Sequence, residues 1–166
     1  MSAIASFYVI DREIVPVLAE AARGAQTSGF GFTLQEATSE PRSVYDVLLA
    51  HGRRDPDEYG WSGYCMMYVL LYLTENGVPL DQSEFDAETN AIAADFGLTY
   101  LITPAHKEYL PRLDPAAQDE QALIDYFAEY GMVFEESGMA AIDAITLLHR
   151  HIDALADNEV LVVAVG

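Results

Sequence analysis

Apolar segments that are rich in β-branched and aromatic residues stand near both ends of the chain. Residues 3–10 end in Phe7-Tyr8-Val9-Ile10, and residues 160–165 contain no polar side chain. A short apolar run without alternation is typical of a strand that is buried on both of its faces. Leu98–Ile102 has a similar composition and favours a third strand. We therefore expect a sheet that includes the N-terminal and C-terminal strands.

Helical patterns fill the sequence between these strands. Cap residues, prolines in first turns and apolar stripes predict helices from Asp11 to Ala22, Pro41 to Ala50, Gly63 to Glu75, Asp81 to Phe96, Thr103 to Pro111, Pro115 to Tyr130 and Met139 to Ala156. Glycines that follow these segments are typical helix stops: Gly24, Gly52, Gly77, Gly97 and Gly131. Residues 24–41 predict a loop with a short strand at Phe30–Leu34.

The order of elements predicts one α+β domain that spans residues 1–166. The chain has 166 residues, of which 51% are hydrophobic, and that fraction is enough for a packed core. No Gly/Ser-rich or Pro-rich linker divides the sequence, and no internal repeat is visible. We expect the terminal strands to share one sheet, with several helices packed around it.

Several short segments resemble one known family. They are Ile4–Ile10 followed by Asp11-Arg12-Glu13, Trp61-Ser62-Gly63-Tyr64 before an apolar helix, Gly97–Pro104 with its Leu-Ile-Thr-Pro ending, and the final helix and strand up to Gly166. In these the chain is similar to the YfbM-like family of small bacterial proteins of unknown function. The resemblance implies an α+β fold and a bacterial protein, and it implies no catalytic residues.

The charge of the chain restricts its partners. Eight Lys and Arg stand against 27 Asp and Glu, a net charge of −19, and residues 84–166 alone carry −13. Nucleic acids and anionic membranes are bound by basic surfaces, so we predict neither as a partner. The negative field could attract a basic protein. Solubility, or a proteome that is acidic throughout, would explain the same composition.

Cysteine usage and the N-terminus predict a cytoplasmic protein. Cys65 is the single cysteine, so no intramolecular disulfide can form. Residues 1–4 lack the basic start of a signal peptide, and the longest apolar run, Tyr64–Leu73, is about half of the ~20 residues that a spanning helix needs. Cys65 lies within an apolar helix, and there a thiol is typically an inert core residue.

Aromatic residues form the first candidate binding feature. Tyr64, Tyr68 and Tyr72 recur every four residues, so one helical face carries all three, with Trp61 a turn earlier. Such a stripe could line a ligand pocket or anchor a partner, with Glu58 or His106 as polar groups. The alternative is a core helix whose hydroxyl groups reach polar partners.

Metal, cofactor and catalytic motifs are not recognisable. His149 and His151 point about 200° apart on a helix and cannot share a metal, and His149 with Asp153 would supply only two ligands. His106 is predicted to be solvated. Gly29-Phe30-Gly31-Phe32 lacks the third glycine of a dinucleotide fingerprint, and Asp55–Glu58 lacks the calcium-loop pattern. We predict no metal and no cofactor, and the sequence leans away from an enzyme.

Acidic pairs form the second candidate feature. Glu84 with Glu88, and Asp125 with Glu129, stand at i and i+4, where like charges cost a few tenths of a kcal/mol. A basic partner would offset that cost. The leading hypothesis is therefore a non-enzymatic module that binds a basic protein, of which immunity to a toxin would be a special case. The alternative is a small-molecule-binding protein or an unrecognised enzyme with a pocket at Trp61, Tyr64 and Tyr68.

Overall fold

The N-terminal and C-terminal strands lie side by side in the middle of one antiparallel sheet. The computed structural model describes residues 3–27, 43–56 and 58–166. The strands are β1 (Ala5–Asp11), β2 (Arg53–Arg54), β3 (Leu98–Ile102) and β4 (Glu159–Val165), in the order β2-β1-β4-β3. Ala5 lies opposite Val165 and Asp11 opposite Glu159, so β1 and β4 pair along their whole lengths. The predicted terminal strands and their shared sheet are confirmed.

β4 is buried on both faces, as its unbroken apolar sequence predicted. Leu161 and Val163 point into one hydrophobic core, whereas Val160 and Val162 point into a second core on the other side of the sheet. Successive side chains of a strand point to opposite faces, so an apolar residue at every position indicates two covered faces. The sheet therefore has a layer of helices on each side.

The larger layer holds the apolar helix that follows Trp61. It contains α3 (Gly63–Glu75), α5 (Glu120–Glu129) and α6 (Ser137–Ala154), which contact one another. The 3-10 helix Pro104–Arg112 packs against α6 in the same layer. Cys65, Met66 and Leu70 of α3 lie in the core beneath these helices. The apolar helix α3 therefore contributes directly to the larger core.

The smaller layer covers the opposite face of the sheet. It contains α1 (Val15–Thr27), α2 (Val44–His51) and α4 (Asp86–Phe96), and α1 contacts both of the others. Leu18, Leu48 and Ile92, one from each helix, are fully buried against the sheet. The two layers together give an α+β domain with the sheet enclosed between helices.

Two predicted helix starts in the smaller layer are wrong. Asp11 precedes a 3-10 helix, Arg12–Ile14, and its side chain caps nothing there. The predicted start at Asp81 is wrong because α4 begins at Asp86, after Ser83, whose hydroxyl accepts from the Phe85 N–H at 3.0 Å and whose own N–H donates to Asp86 at 2.8 Å. Since Ser and Asp side chains both satisfy free backbone groups at a helix start, several residues in this segment compete for the cap.

The second helix of the smaller layer begins at a Ser–Asp capping box. Ser43 and Asp46 bond each other's backbone N–H groups there, both at 3.1 Å. The predicted start at Pro41 lies outside the described residues, as does the predicted strand at residues 30–34.

Three of the predicted helix stops are confirmed as glycines with a positive φ. Gly77, Gly97 and Gly131 have φ between 76° and 88°, a region open to glycine at little cost. Gly24 lies within α1 and does not end it.

The predicted helix from Pro115 to Tyr130 is divided. A 3-10 turn spans Pro115–Ala117 and α5 starts after Asp119, whose carboxylate accepts from the Ala122 N–H at 3.2 Å. Pro111 lies inside its 3-10 helix and does not end it. Over the described ranges, no helix combines the length and the apolar composition needed to cross a membrane.

Candidate functional site

The predicted tyrosine stripe starts where α3 meets the N-terminal segment. The Ser62 hydroxyl accepts from the Tyr64 N–H at 3.3 Å, and the Gly63 N–H donates to the carbonyl of Ala3 at 2.7 Å. A Cβ at Gly63 would lie 2.8 Å from the backbone carbon of Ile4, so glycine permits this close approach. The start of α3, and with it the orientation of the stripe, is thereby fixed against β1.

The stripe is neither fully buried nor fully exposed. Tyr64 is 41% exposed, whereas Tyr68 and Tyr72 are half-buried. Tyr68 stacks on Tyr130 of the α5 end with ring centroids 4.8 Å apart, and Tyr72 meets Tyr126 edge-on at 5.2 Å. The Tyr126 and Tyr130 rings are 5.1 Å apart. We call these four residues, Tyr68, Tyr72, Tyr126 and Tyr130, the tyrosine cluster.

The tyrosine cluster forms because two helices carry the same spacing. Tyr68 and Tyr72 stand at i and i+4 on α3, and Tyr126 and Tyr130 stand at i and i+4 on α5 and its C-terminal end. Residues at this spacing share a helical face, and α3 contacts α5. The tyrosine stripe predicted from the sequence contains only the α3 half. The Tyr126–Tyr130 spacing was the signal for the other half.

Tyr130 lies at the outer edge of the apolar face of α5. Leu123 and Phe127 on that face are fully buried, whereas Tyr130 is 46% exposed. Phe127 also contacts the α3 half of the cluster, with its ring 6.3 Å from Tyr68. The cluster therefore has a buried side on the core and an open side at the surface.

The Tyr126 side chain is 9% exposed, and its hydroxyl lies beside the Glu75 carboxylate and the Tyr130 hydroxyl without a hydrogen bond of full geometry to either. Burial raises its pKa, as do these two neighbours. The hydroxyl of Tyr59, by contrast, donates to the carbonyl of Ala140 at 2.7 Å. The Tyr59 hydroxyl is therefore bonded to α6, whereas the Tyr126 hydroxyl is held next to an acidic side chain.

Acidic side chains stand on both helices that form the tyrosine cluster. Glu75 ends α3 and faces Tyr126, and Asp125 and Glu129 are exposed on α5. The amide of Gln121 donates to Asp125 at 2.8 Å. The predicted pair Asp125 and Glu129 therefore lies on the same helix as half of the cluster, and the open side of the cluster lies in a negative field.

The other predicted acidic pair lies elsewhere. Glu88 is in the first turn of α4, in the smaller layer, and Glu84 precedes that helix. Glu84 is exposed and forms an ion pair with Arg12. The two acidic pairs are thus attached to opposite faces of the sheet and do not form a single patch.

Trp61 lies beside the tyrosine stripe but contacts other residues. Its indole N–H donates to the Asp143 carboxylate of α6 at 2.8 Å, and its ring is tilted 40° to Phe134 at 6.4 Å. The side chain is half-buried. Trp61 therefore joins the segment before α3 to α6 and is not a member of the tyrosine cluster.

The two predicted polar groups of an aromatic pocket lie in other surroundings. His106 is 5% exposed, so the prediction of a solvated side chain is wrong. Its Nδ1 accepts from the Thr103 N–H at 3.0 Å. The proton is therefore on Nε2, which donates to the Gln82 carbonyl at 2.9 Å. Glu58 is exposed and pairs with Arg54 at 2.5 Å. His106 therefore connects the start of the 3-10 helix Pro104–Arg112 to the loop before α4.

Cys65 is buried, and the His151 side chain is 11% exposed. Burial raises the pKa of the Cys65 thiol. The His151 ring stacks parallel to Phe7 at 5.2 Å, and its Nε2 lies 2.8 Å from an Asp55 carboxylate oxygen that also accepts from Arg150 at 2.5 Å. Burial lowers the pKa of His151, Arg150 lowers it further, and Asp55 opposes both. This cluster holds the segment after β2 against α6.

No group of three or more His, Cys, Asp or Glu in the described ranges is arranged to hold a metal. Four surface clefts measure about 240 to 510 Å³, and the largest is lined by Asp11, Arg12, Glu13, Phe85 and Asn158. None of these four is lined by Trp61, Tyr64 or Tyr68. They give no support to a pocket on the tyrosine stripe.

Comparison with known proteins adds no relative. No family model, no curated protein and no solved structure matches the chain. The resemblance to the YfbM-like family therefore stays a prediction, and the functional argument depends on the residues of this chain.

Proposed function

We propose that the chain is a non-enzymatic interaction protein that binds a basic protein partner through the surface of α3 and α5. The observation that carries the proposal is the tyrosine cluster, which is half-open to solvent, with Glu75 next to Tyr126 and with Asp125 and Glu129 exposed on the same helix as Tyr126. Tyrosine is enriched at the centres of interfaces, where its ring is buried and its hydroxyl forms hydrogen bonds. Immunity to a basic toxin would be one case of such a function.

Charge supports the choice of a basic partner. The chain carries −19 in total, and most of it lies in the half that includes α5. Complementary charge accelerates the encounter of two proteins and excludes partners of like charge. The acidic side chains would act as the rim of the interface and the rings as its anchors.

Affinity capture at low and high salt tests the proposal. The full chain is tagged, and a basic partner is identified at low salt, then measured again after salt is raised. Because salt screens exposed charges, we expect capture to fall steeply. The variant Asp125→Asn with Glu129→Gln is expected to lose most of the captured partner.

The control removes the same number of charges from the opposite layer. Glu84→Gln with Glu88→Gln changes the net charge equally but leaves α5 intact. We expect this variant to keep the partner nearly at the wild-type level. Equal loss in both variants would point to net charge alone, and a partner that resists high salt and both variants would overturn the proposal.

A further inference from the structure

We propose that a cleft at one end of the sheet binds a small aromatic carboxylate. The cleft has a volume of about 350 Å³, within the range of about 300–1,000 Å³ that is usual for small-molecule sites. Its lining includes Ser6, Tyr8, Tyr45, Arg54, Phe96 and Ala164. This sheet-end cleft lies on the face of the sheet that the smaller layer covers, opposite α3 and α5. The inference therefore goes beyond the proposed partner interface.

The sheet-end cleft exists because side chains become smaller along both central strands. On β1, Tyr8 belongs to the smaller core, and Ser6 stands two residues earlier on the same face. On β4, Val162 belongs to that core, and Ala164 follows two residues later. Ser6 and Ala164 lie directly opposite each other in the sheet. Two small side chains thus meet at one level and leave a depression in the sheet face.

Aromatic side chains from two helices stand around this depression. Tyr45 belongs to the first turn of α2 and is 47% exposed, and Phe96 is the last residue of α4. Both line the cleft, as does Tyr8 of β1. Aromatic rings bind other rings edge-on or with an offset. Three rings around a floor of small side chains therefore favour a planar aromatic ligand.

Arg54 gives the sheet-end cleft its charge preference. It lies opposite Tyr8 in the β1–β2 pair, and residues directly opposite each other in a sheet project from the same face. Of the described residues that line the cleft, Arg54 is the only one with a charged side chain. A guanidinium forms two parallel hydrogen bonds with a carboxylate. The ligand's carboxylate therefore binds Arg54 while its ring lies over Ser6 and Ala164.

Glu58 competes with the ligand for the same guanidinium. It pairs with Arg54 at 2.5 Å, and the two side chains are 63% and 45% exposed. Exposed ion pairs of this kind contribute little to stability, so a carboxylate that is also held by the aromatic walls can replace Glu58. Repulsion from distant acidic side chains is screened beyond about 8 Å at physiological salt. Arg54 and Glu58 are therefore the charges that decide the affinity.

Titration with three probes of one shape tests the ligand class. The ¹⁵N-labelled full chain is titrated with indole-3-acetate, with neutral indole-3-acetamide and with the cation tryptamine, and amide shifts are followed by NMR. We expect saturable shifts in β1, α2 and α4 with indole-3-acetate, weaker binding of the acetamide and no binding of tryptamine. The absence of a saturable shift with indole-3-acetate, shifts confined to other elements, or equal affinity for the three probes would overturn the inference.

Two variants with opposite expected effects test the charge contact. Arg54→Gln should weaken binding of indole-3-acetate about tenfold, which corresponds to a loss of about 1.4 kcal/mol, and should leave indole-3-acetamide nearly unchanged. Glu58→Gln should strengthen binding of indole-3-acetate several-fold, because it frees the guanidinium. The matched control is Arg53→Gln, since Arg53 projects from the opposite face of the sheet and pairs with Glu159. This control should bind as the wild type does.

A filled cleft tests the shape of the site. Ser6→Leu places a larger side chain on the floor and should abolish binding of both indole-3-acetate and indole-3-acetamide. The control is Val9→Leu on the same strand, because Val9 packs against the larger core. A folded Ser6→Leu variant that still binds would contradict the proposed location. If Ser6→Leu does not fold, the exposed Arg54 decides, and equal affinity of Arg54→Gln and Arg53→Gln would overturn the inference.

Discussion

Removal of the Tyr59 hydroxyl should cost more stability than removal of the Tyr126 hydroxyl. The Tyr59 hydroxyl donates to the Ala140 carbonyl at 2.7 Å, and such a bond contributes about 0.5–1.5 kcal/mol. The Tyr126 hydroxyl lies beside the Glu75 carboxylate and the Tyr130 hydroxyl without a hydrogen bond of full geometry to either. We expect Tyr59→Phe to lower the free energy of unfolding by about 1 kcal/mol, and Tyr126→Phe to change it by less than about 0.5 kcal/mol, the lower end of the range for a formed bond.

Urea unfolding measures both variants against the wild type. Trp61 is the single tryptophan and is hydrogen-bonded to Asp143, so its fluorescence reports loss of tertiary structure. The midpoint should shift while the slope stays constant, which would show that stability and not compactness has changed. For a domain of this size the expected difference of about 1 kcal/mol separates the two melting temperatures by about 2–4 °C.

The result that would refute this reasoning is a Tyr126→Phe variant destabilised as much as Tyr59→Phe, because the hydroxyl would then have a stabilising bond.

Three further predictions follow from single contacts. Gly63→Ala should lower the free energy of unfolding by about 1–3 kcal/mol, because its Cβ would meet the backbone, whereas Gly60→Ala, in open space, should change it by less than about 0.5 kcal/mol; urea unfolding compares them. Cys65 is buried with a raised pKa, so a thiol reagent at neutral pH should label it only after unfolding; rapid labelling of the folded chain would contradict this. Burial lowers the pKa of His151 below its ordinary 6.5, so the unfolded state binds the proton at a higher pH than the folded state and stability falls as pH drops through about 6.5. When the pH is lowered from about 7.5 to 5.5, the His151→Gln variant should therefore lose less free energy of unfolding than the His149→Gln variant. Equal dependence of stability on pH in the two variants would argue against this.

Local sequence signals predicted most of the secondary structure. β1, β3 and β4 were found because each is a short apolar run, and α3 because Ser62 precedes an apolar stretch that ends at Asn76-Gly77. These signals depend on neighbouring residues and on glycine at a positive φ, so they can be read without knowledge of the fold. The starts of α4 and α5 were missed because nearby Ser and Asp residues offer several equivalent caps.

Candidate sites were harder to predict, because a helical face by itself does not reveal what it packs against. The spacing of Tyr68 and Tyr72 was visible, yet their partners Tyr126 and Tyr130 stand more than 50 residues later in the sequence. His106 was predicted to be solvated because its neighbours in the sequence are charged. In the structure it is buried, and its Nε2 donates a hydrogen bond to the carbonyl of Gln82, 24 residues away.

The sequence by itself determined where β1, β3, β4 and most of the helices lie, that both ends of the chain form strands, and that the net charge is strongly negative. Those properties follow from residue type and spacing alone. Only the tertiary structure decided that α3 and α5 lie side by side, and that Glu84 and Glu88 belong to the layer opposite α5. The reason is physical: the sheet separates the two helix layers, and which helices cover each face depends on how both cores pack against β1 and β4.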